Sequence, residues 1–241
     1  MPDPSVSHPE LLVVMPVYNE EKAVAGVIDA WFNQLDVTGV DYQMLAVDDG
    51  SRDGTPEALQ TLRVKWGSKL DVINQVNAGH GPAILNGYRH AVQRGVPWIF
   101  QIDSDGQCDP RYFPAVWEAR EGCDLVFGCR TRRDDGFSRV VVSFVLRMVV
   151  LALSGVNCRD ANVPYRLMRT EAVAPVIAKI PSDCFFTNVG ISVLALRARL
   201  RCRYVPIIFL ARTAGETTVP LRNLGKHALT LCRNMRDLLK S

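Results

Sequence analysis

The apolar and polar positions of the first 130 residues alternate between two periods. Short, fully apolar runs are typical of buried strands, and each is followed by apolar residues three or four positions apart, which is typical of helices. The pattern predicts strands at residues 11–17, 42–47, 70–74, 98–102 and 124–128, and helices from about residues 24 and 55 and over 81–93 and 110–121. This alternation predicts an α/β fold, a single Rossmann-like domain with a mostly parallel central sheet and helices on both faces.

The pattern changes after residue 130. A basic loop, an apolar stretch over residues 137–156, a polar element at 160–169, a helix near 187–199 and a strand at 203–210 follow in that order. We therefore expect an N-terminal tail at residues 1–10, one domain at 11–219 whose two parts are 11–130 and 131–219, and a basic amphipathic helix at 220–241. The helices of the second part are expected to lie beside the sheet.

Composition narrows the class of protein. Hydrophobic residues make up 48% of the 241 residues and charged residues 22%, which is enough apolar material for a packed core and excludes a disordered chain. The net charge of +3 is too small to predict nucleic-acid binding. The seven cysteines are scattered without a C-x-x-C pair, so reduced thiols are expected rather than zinc or disulfides. Residues 1–10 lack the features of a signal peptide, which favours a cytoplasmic location.

Two segments raise the question of a membrane. The apolar stretch is interrupted by Arg147, which argues against a bilayer span and leaves a core helix or a membrane-surface helix open. The C-terminal segment combines apolar residues at helical spacing with a basic face. This pattern fits a helix lying on anionic lipid and equally a helix docked on the domain.

Acidic residues follow three of the predicted strands. Glu20 follows the first, Asp48 and Asp49 end the second, and Asp103 and Asp105 follow the fourth. In open α/β sheets the ligand crevice lies at the carboxyl ends of the strands, so we expect these acids to share one site. The two carboxylates of the D-x-D sequence offer the hard oxygen ligands that Mg²⁺ or Mn²⁺ prefers.

Five segments together resemble the family 2 inverting glycosyltransferases of the GT-A fold. They are PVYNE at 16–20, VDDGS at 47–51, NAGHG at 77–81, the D-x-D at 103–105 and RTAGET at 212–217. The subgroup they resemble most is that of the dolichyl- or polyprenyl-phosphate mannosyl- and glucosyltransferases. The resemblance covers residues 11–217 and implies that 11–130 bind a nucleotide sugar and 131–219 bind the acceptor.

The resemblance also implies roles for individual residues. Asp103 and Asp105, with help from Gln107, would bind the metal, and Arg212 would lie near the leaving diphosphate and share the catalytic role of the two aspartates. The residues expected to bind the nucleotide sugar are Pro16, Tyr18, Glu20, Val47, Asp48, Asp49, Gly79, Ile102, Asp103, Ser104, Asp105 and Arg212.

The sequence departs from the family pattern at three places. Thr218 stands where the lipid-phosphate enzymes usually have a lysine, and Pro164 replaces the glycine of an Asp-x-x-x-Gly-x-Arg pattern. Members that act on sugar hydroxyls carry a Glu-Asp pair near Thr187, and residues 185–189 contain no carboxylate. Because a hydroxyl needs a general base and a phosphate does not, this absence favours a phosphate acceptor. Asp160 is the alternative candidate for a base.

Basic residues follow the fifth strand at the start of the second part. They are the candidates for binding an acceptor phosphate, since guanidinium pairs with phosphate in a bidentate manner. The candidates are Arg130, Arg132, Arg133 and Arg139.

The sequence therefore predicts a metal-dependent enzyme, peripheral on the cytoplasmic face of a membrane. It would transfer a hexose, with inversion, from a GDP- or UDP-hexose to a polyprenyl phosphate. A family 2 enzyme acting on a saccharide or lipid-linked saccharide hydroxyl is one alternative. A non-catalytic nucleotide-sugar-binding subunit of a membrane complex is another.

Overall fold

The computed structural model describes residues 9–132, 147–210 and 224–240. Within them, helices and strands alternate as far as residue 132. The first part comprises β1 (Leu11–Val17), α1 (Val24–Thr38), β2 (Tyr42–Asp48), α2 (Thr55–Trp66), β3 (Leu70–Asn74), α3 (His80–Arg94), β4 (Trp98–Gln101), α4 (Phe113–Glu118) and β5 (Leu125–Arg132). The second comprises helical residues 147–154 (α5), β6 (Arg166–Arg169), α6 (Thr170–Ala178), α7 (Thr187–Arg197), β7 (Cys202–Ile208) and α8 (Leu224–Lys240).

The strands form one seven-stranded sheet in the order β3-β2-β1-β4-β6-β5-β7. All neighbouring pairs are parallel except those of β6, which runs antiparallel to both β4 and β5. This confirms the predicted α/β class with a mostly parallel sheet. The chain leaves β1 toward β2 on one side and later returns to β4 on the other, so β1 and β4 flank the switch point at which such folds bind ligands.

Strand β1 lies at the centre of the fold because every one of its residues is apolar. All seven are buried, between β2 and β4 and beneath helices on both faces. Helix α1 presents apolar side chains at the spacing that one buried face requires and ends at Gly39, whose φ of 71° is left-handed. Trp31 of α1 packs against Phe100 and Tyr165, which joins the helix to β4 and to the segment before β6.

Helices cover both faces of the sheet. On one face, α1 contacts both α2 and α4, whereas on the other α3, α6 and α7 contact one another. The close approach of α3 depends on Gly87, since a Cβ there would lie 2.3 Å from a methyl of Val14. The site described below therefore stands on a two-sided core.

Several details of the fold differ from the pattern-based expectation. The region predicted as one helix at 110–121 is a 3₁₀ turn, Pro110–Tyr112, followed by the short α4. Strand β6 and helix α6 were not predicted, because a four-residue strand with arginine at both ends carries too little apolar pattern. The division of the domain at residue 130 stays a prediction, and that residue lies inside β5.

Helix α8 docks on the domain through its apolar side. Leu231 and Met235 belong to a cluster with Val150 of α5 and with Val189 and Val193 of α7. The exposed side of α8 includes Arg233 and Arg236. Of the two arrangements expected for this segment, the docked helix with a basic outer face is the one observed.

None of the helices that the structure describes is long and apolar enough to cross a bilayer.

The start of α3 supplies a test of packing. A Cβ at Gly81 would lie 2.3 Å from the carbonyl oxygens of Cys184 and Phe185, which are backbone atoms with little freedom to move. We expect Gly81→Ala to lower the free energy of unfolding by about 1–3 kcal/mol, as overpacking does. Chemical denaturation measures the change.

The matched control is Gly26→Ala in α1, where a Cβ meets nothing within 4 Å. That change should stabilise the protein by about 0.5–1 kcal/mol, since it replaces a helical glycine. Equal effects of the two substitutions would contradict the close contact at Gly81.

Candidate active site at the carboxyl edge of the sheet

The loops that follow β1 and β2 are hydrogen-bonded to each other. The backbone N–H of Asn19 donates to Ser51 Oγ over 2.9 Å, and the N–H of Glu20 donates to Thr55 Oγ1 over 2.8 Å. The N–H of Arg52 donates back to Asn19 Oδ1 over 2.8 Å. The structure therefore brings together two of the segments predicted to bind the nucleoside.

The predicted nucleoside residues differ in exposure. Pro16 and Val47 lie opposite each other in the β1–β2 register, and both are buried. Glu20 is also buried at 9% exposure, whereas Tyr18 is 41% exposed at the end of β1. Among these four, Tyr18 presents the largest open surface to a flat ring.

Asp48 and Asp49 at the end of β2 are buried and held by neutral donors. Asp48 Oδ1 accepts a hydrogen bond from the backbone N–H of Ser51. Asp49 accepts three, from the amide of Gln75 and from the N–H groups of Ala78 and Gly79, over 2.7–2.9 Å. Asp49 thus fastens the loop that leads into α3, and three donors leave room for about one more on a carboxylate.

The D-x-D loop follows β4 directly. Ile102 continues the sheet by donating its N–H to Val14 O, and its side chain is buried, as is that of Ser104. The Asp103 side chain is 25% exposed. Asp105 accepts the N–H of Gln107 over 3.0 Å across a turn in which Gly106 has a φ of 77°. The two predicted metal carboxylates therefore occupy one short turn at the edge of the sheet.

The far side of this turn is joined to the end of β7. Gln107 and Leu210 exchange backbone and side-chain hydrogen bonds, and Cys108 pairs with Phe209. Burial beside Asp103 raises the pKa of the Cys108 thiol well above its usual value, so the thiol stays protonated. Leu210, which precedes Arg212 by two residues in the sequence, is therefore bonded to the D-x-D turn.

The donor set at this turn fits a hard divalent cation that is shared with a ligand. Within residues 9–132, 147–210 and 224–240, no group of three or more His, Cys, Asp or Glu side chains could hold a metal. Mg²⁺ is commonly bound by one or two carboxylates together with substrate phosphates, and Asp103 and Asp105 supply that number. Gln107 would contribute its amide oxygen, since its amide nitrogen donates to Leu210 O.

Arg130 and Asp160, predicted for different roles, form a bidentate ion pair. Arg130 Nε and NH2 donate to the two carboxylate oxygens of Asp160 over 2.7 and 2.6 Å, and the side chains are only 16% and 10% exposed. The guanidinium also lies 5.1 Å from the ring centre of Phe209. The pair joins β5 to the segment before β6, at the same edge as the D-x-D loop.

Arg166 fastens the segment between the ion pair and β6. Its fully buried guanidinium donates to the carbonyl oxygens of Ala161, Val163 and Asn188 and to Ser192 Oγ. Burial lowers the pKa of this guanidinium. Arg166 thus ties the 160–163 segment to the first turns of α7.

A buried polar cluster behind Asp103 was not predicted. Asn188 Nδ2 donates to Gln101 Oε1 over 2.9 Å, and the Tyr88 hydroxyl lies 3.0 Å from the same oxygen. Gln101 Nε2 in turn donates to Asp103 Oδ1 over 3.1 Å. Burial raises the pKa of Tyr88, which keeps the hydroxyl protonated. The feature of the sequence that could have indicated this cluster is Gln101, the polar residue that ends the apolar run WIFQ.

His80 also lies beside Asp103. Its Nε2 is 3.6 Å from Asp103 Oδ1, and the imidazole is 54% exposed at the first residue of α3. It follows Gly79, whose φ of 99° lets the loop turn into the helix. The exposed imidazole is therefore a second neighbour of Asp103, beside Gln101.

Several predicted residues lie outside this description. Arg212, Arg133 and Arg139 are not among the described residues, and Arg132 is described only as the end of β5. Their predicted roles stay predictions.

The class of this protein is shown by its match to a family model. Residues 12–173 match the model of the family described as Glycosyl transferase family 2, and the chain belongs to that family. It is accordingly an enzyme of the glycosyltransferase class.

Two relatives are named as sugar transferases that use undecaprenyl phosphate. The chain is 26% identical to the undecaprenyl-phosphate mannosyltransferase of Micrococcus luteus over 92% of its length and 93% of that protein. It is 28% identical to the undecaprenyl-phosphate 4-deoxy-4-formamido-L-arabinose transferase of Aeromonas hydrophila over 88% of its length, spanning 63% of that longer protein.

A solved structure supports the fold. The glucosyl-3-phosphoglycerate synthase of Mycobacterium tuberculosis, in complex with Mn²⁺, UDP and glucosyl-3-phosphoglycerate, superposes with a TM-score of 0.69. It shares 19% identity, with 95% of this chain and 80% of that chain covered. The GT-A fold expected from the sequence is thereby confirmed.

Proposed function

We propose that the protein transfers a hexose from a nucleoside diphosphate sugar to a polyprenyl phosphate, with inversion, at the cytoplasmic face of a membrane. Both named relatives use undecaprenyl phosphate, whereas their sugars differ. The shared acceptor class supports the lipid phosphate, and UDP- and GDP-hexoses are the donors to compare.

The ion pair between Arg130 and Asp160 is the observation that carries the choice of acceptor. Both carboxylate oxygens of Asp160, the candidate general base, accept hydrogen bonds from Arg130. At the other position where a base is expected, Asn188 offers an amide that is already bonded to Gln101. A phosphate acceptor needs neither group as a base, because its oxygens are anionic at neutral pH.

The donor site follows from the loops at the end of β1, β2 and β4. Tyr18 and Asp49 would hold the nucleoside, and the D-x-D turn would lie beside the diphosphate. A divalent cation held by Asp103 and Asp105 supplies charge neutralisation for the departing diphosphate. Arg212 would add a fixed positive charge there.

The reaction is a single displacement. An oxygen of the acceptor phosphate forms a bond to the anomeric carbon as the bond from that carbon to the diphosphate oxygen breaks. The nucleoside diphosphate leaves with the bonding electron pair. Arg130, which Asp160 holds in place, would lie beside the acceptor phosphate and attract it by its positive charge.

The position of α8 supports attachment to a membrane surface. Arg233 and Arg236 lie on its exposed side, while its apolar side is buried against α7. Attraction to anionic lipid would therefore be electrostatic, through these and neighbouring basic residues.

The D-x-D assignment predicts a cation requirement. Asp105→Ala should lower kcat/KM by at least about 100-fold, as loss of transition-state charge stabilisation does, and leave the thermal unfolding midpoint close to that of the wild type. EDTA should inhibit the wild type and added Mg²⁺ or Mn²⁺ should restore it. Radiolabelled sugar transfer into an organic phase measures the rate.

Asp53→Asn is the matched control for this change. Asp53 lies near the same edge but accepts bonds from Thr55 and from the N–H of Glu21, which makes it structural. The Asp53→Asn variant should keep the wild-type rate of transfer and the wild-type dependence on the cation. Full activity of Asp105→Ala in the presence of EDTA would refute the cation site.

If the acceptor is a phosphate, Asp160→Asn should impair the reaction less than Arg130→Lys does. If Asp160 is a general base, the order should be reversed. Asp160→Asn should retain turnover within about 10-fold on polyprenyl phosphate, whereas loss of a general base costs about 10²–10⁴-fold. Arg130→Lys should chiefly raise the KM for the acceptor, because it keeps the charge and loses the bidentate geometry. Steady-state kinetics at saturating donor gives both values.

A dephosphorylated polyprenol serves as the control substrate. We expect no transfer to it by any variant. Efficient use of the alcohol that Asp160→Asn abolishes would replace the phosphate acceptor by a hydroxyl acceptor.

The outer face of α8 predicts salt-sensitive binding to anionic vesicles. Replacing Arg233 and Arg236 together by Gln should weaken partitioning about 30-fold at low salt, since each basic residue near the surface contributes about 1 kcal/mol. Vesicle sedimentation measures this. Arg63→Gln, an exposed arginine of α2 on the other face of the sheet, should leave binding unchanged, and equal losses would argue against α8 as the attachment surface.

A further inference from the structure

Two chains of side-chain amides end on two of the four aspartates of the candidate site. In the first, Asn188 Nδ2 donates to Gln101 Oε1 and Gln101 Nε2 donates to Asp103 Oδ1, over 2.9 and 3.1 Å. We call these three residues the metal-side relay.

The second chain has the same order of residue types. Asn86 Nδ2 donates to Gln75 Oε1 and Gln75 Nε2 donates to Asp49 Oδ1, each over 2.7 Å. We call these three residues the nucleoside-side relay.

The direction of the metal-side relay is fixed by its outer amide. In the metal-side relay, Gln101 Oε1 accepts a hydrogen bond from the amide of Asn188, and the Tyr88 hydroxyl lies 3.0 Å from the same oxygen and 3.2 Å from Asn188 Oδ1. Turning the Gln101 amide over would place N–H against N–H there and oxygen against the Asp103 carboxylate. The NH₂ group of Gln101 is therefore held toward Asp103.

Helix α3 supports both relays. Asn86 and Tyr88 are two residues apart, so their side chains leave the helix on opposite sides. Asn86 reaches the relay at the end of β3, and Tyr88 reaches the one at the end of β4. One helix thus braces the ends of two strands.

An amide has an advantage over a cation in this position. A lysine or arginine on Asp103 would neutralise the carboxylate and compete with a metal for it. An amide donor orients the carboxylate and leaves its full negative charge.

We propose that the metal-side relay positions Asp103 for the cation and that the nucleoside-side relay positions Asp49 for the nucleoside, each without acting on the other ligand. Gln101, Asn188, Gln75 and Asn86 are positioning residues. This inference rests on the proposed function, which places the cation at Asp103 and the nucleoside at Asp49.

The test compares Gln101→Met with Gln75→Met. Methionine keeps an unbranched chain of similar length and removes the amide. The Mn²⁺ dissociation constant is measured by EPR of free Mn²⁺ at saturating nucleoside diphosphate. The nucleoside diphosphate dissociation constant is measured in EDTA by calorimetry, with UDP and GDP in parallel.

Each variant is expected to weaken the binding of one ligand only. Gln101→Met should weaken Mn²⁺ binding about 10–100-fold, as loss of a partner behind a metal ligand does, and leave nucleotide affinity in EDTA unchanged. Gln75→Met should weaken nucleotide binding and leave Mn²⁺ affinity unchanged at saturation. If both variants weaken both ligands alike, or if neither changes either, the inference is overturned.

Folding and the proposed function are separated by further variants. If Gln101→Met fails to fold, Tyr88→Phe replaces it and should weaken Mn²⁺ binding by a smaller factor. If Gln75→Met fails to fold, Asn86→Ala replaces it and should weaken nucleotide binding by a smaller factor. If Asp105→Ala loses Mn²⁺ while Gln101→Met does not, the relay is refuted and the cation site stands. If the wild type binds no Mn²⁺ with nucleotide present, the proposed cation site itself is refuted, and the relay assignment with it.

Discussion

The convergence of four aspartates on one edge of the sheet is the constraint on which this site depends. The parallel strands β1, β2 and β4 end at one edge, and this places Asp48, Asp49, Asp103 and Asp105 close to it. Each of the four accepts hydrogen bonds from backbone N–H groups or side-chain amides. Such donors fix the carboxylates in place and bring no positive charge of their own, which suits carboxylates that are to bind a divalent cation.

The antiparallel strand β6 joins the two parts of the domain. It inserts between β4 and β5, and the segment before it carries Asp160 to Arg130 at the end of β5. Arg166 then fixes that segment to α7 through carbonyl oxygens and Ser192 Oγ, which is a stable use of a buried guanidinium because most of its donors are satisfied. The end of β5, the segment before β6 and the start of α7 are therefore joined to one another.

Much of the nucleotide side of this enzyme could be anticipated from the chain. Fully apolar runs ending in acids identified β1, β2 and β4 and, with the direction of parallel strands, the edge where Asp103 and Asp105 meet. The segments PVYNE and VDDGS also carried enough information to indicate the family. Strand β6 was not predicted, because four residues, two of them arginine, are too few to show a hydrophobic period.

The sequence by itself determined the class of fold, the edge of the sheet at which the acidic residues meet and the place of the D-x-D turn on it, since these follow from local periodicity and from residue type. Only the tertiary structure decided that Asp160 pairs with Arg130, 30 residues away, and that Asn188 reaches Gln101 across 87 residues. It also decided that the apolar side of α8 faces α7 and α5 rather than lipid. The physical reason is common to all three: an ion pair, an amide chain and an apolar face can each be satisfied by many partners. Which partner satisfies them depends on the packing of distant segments.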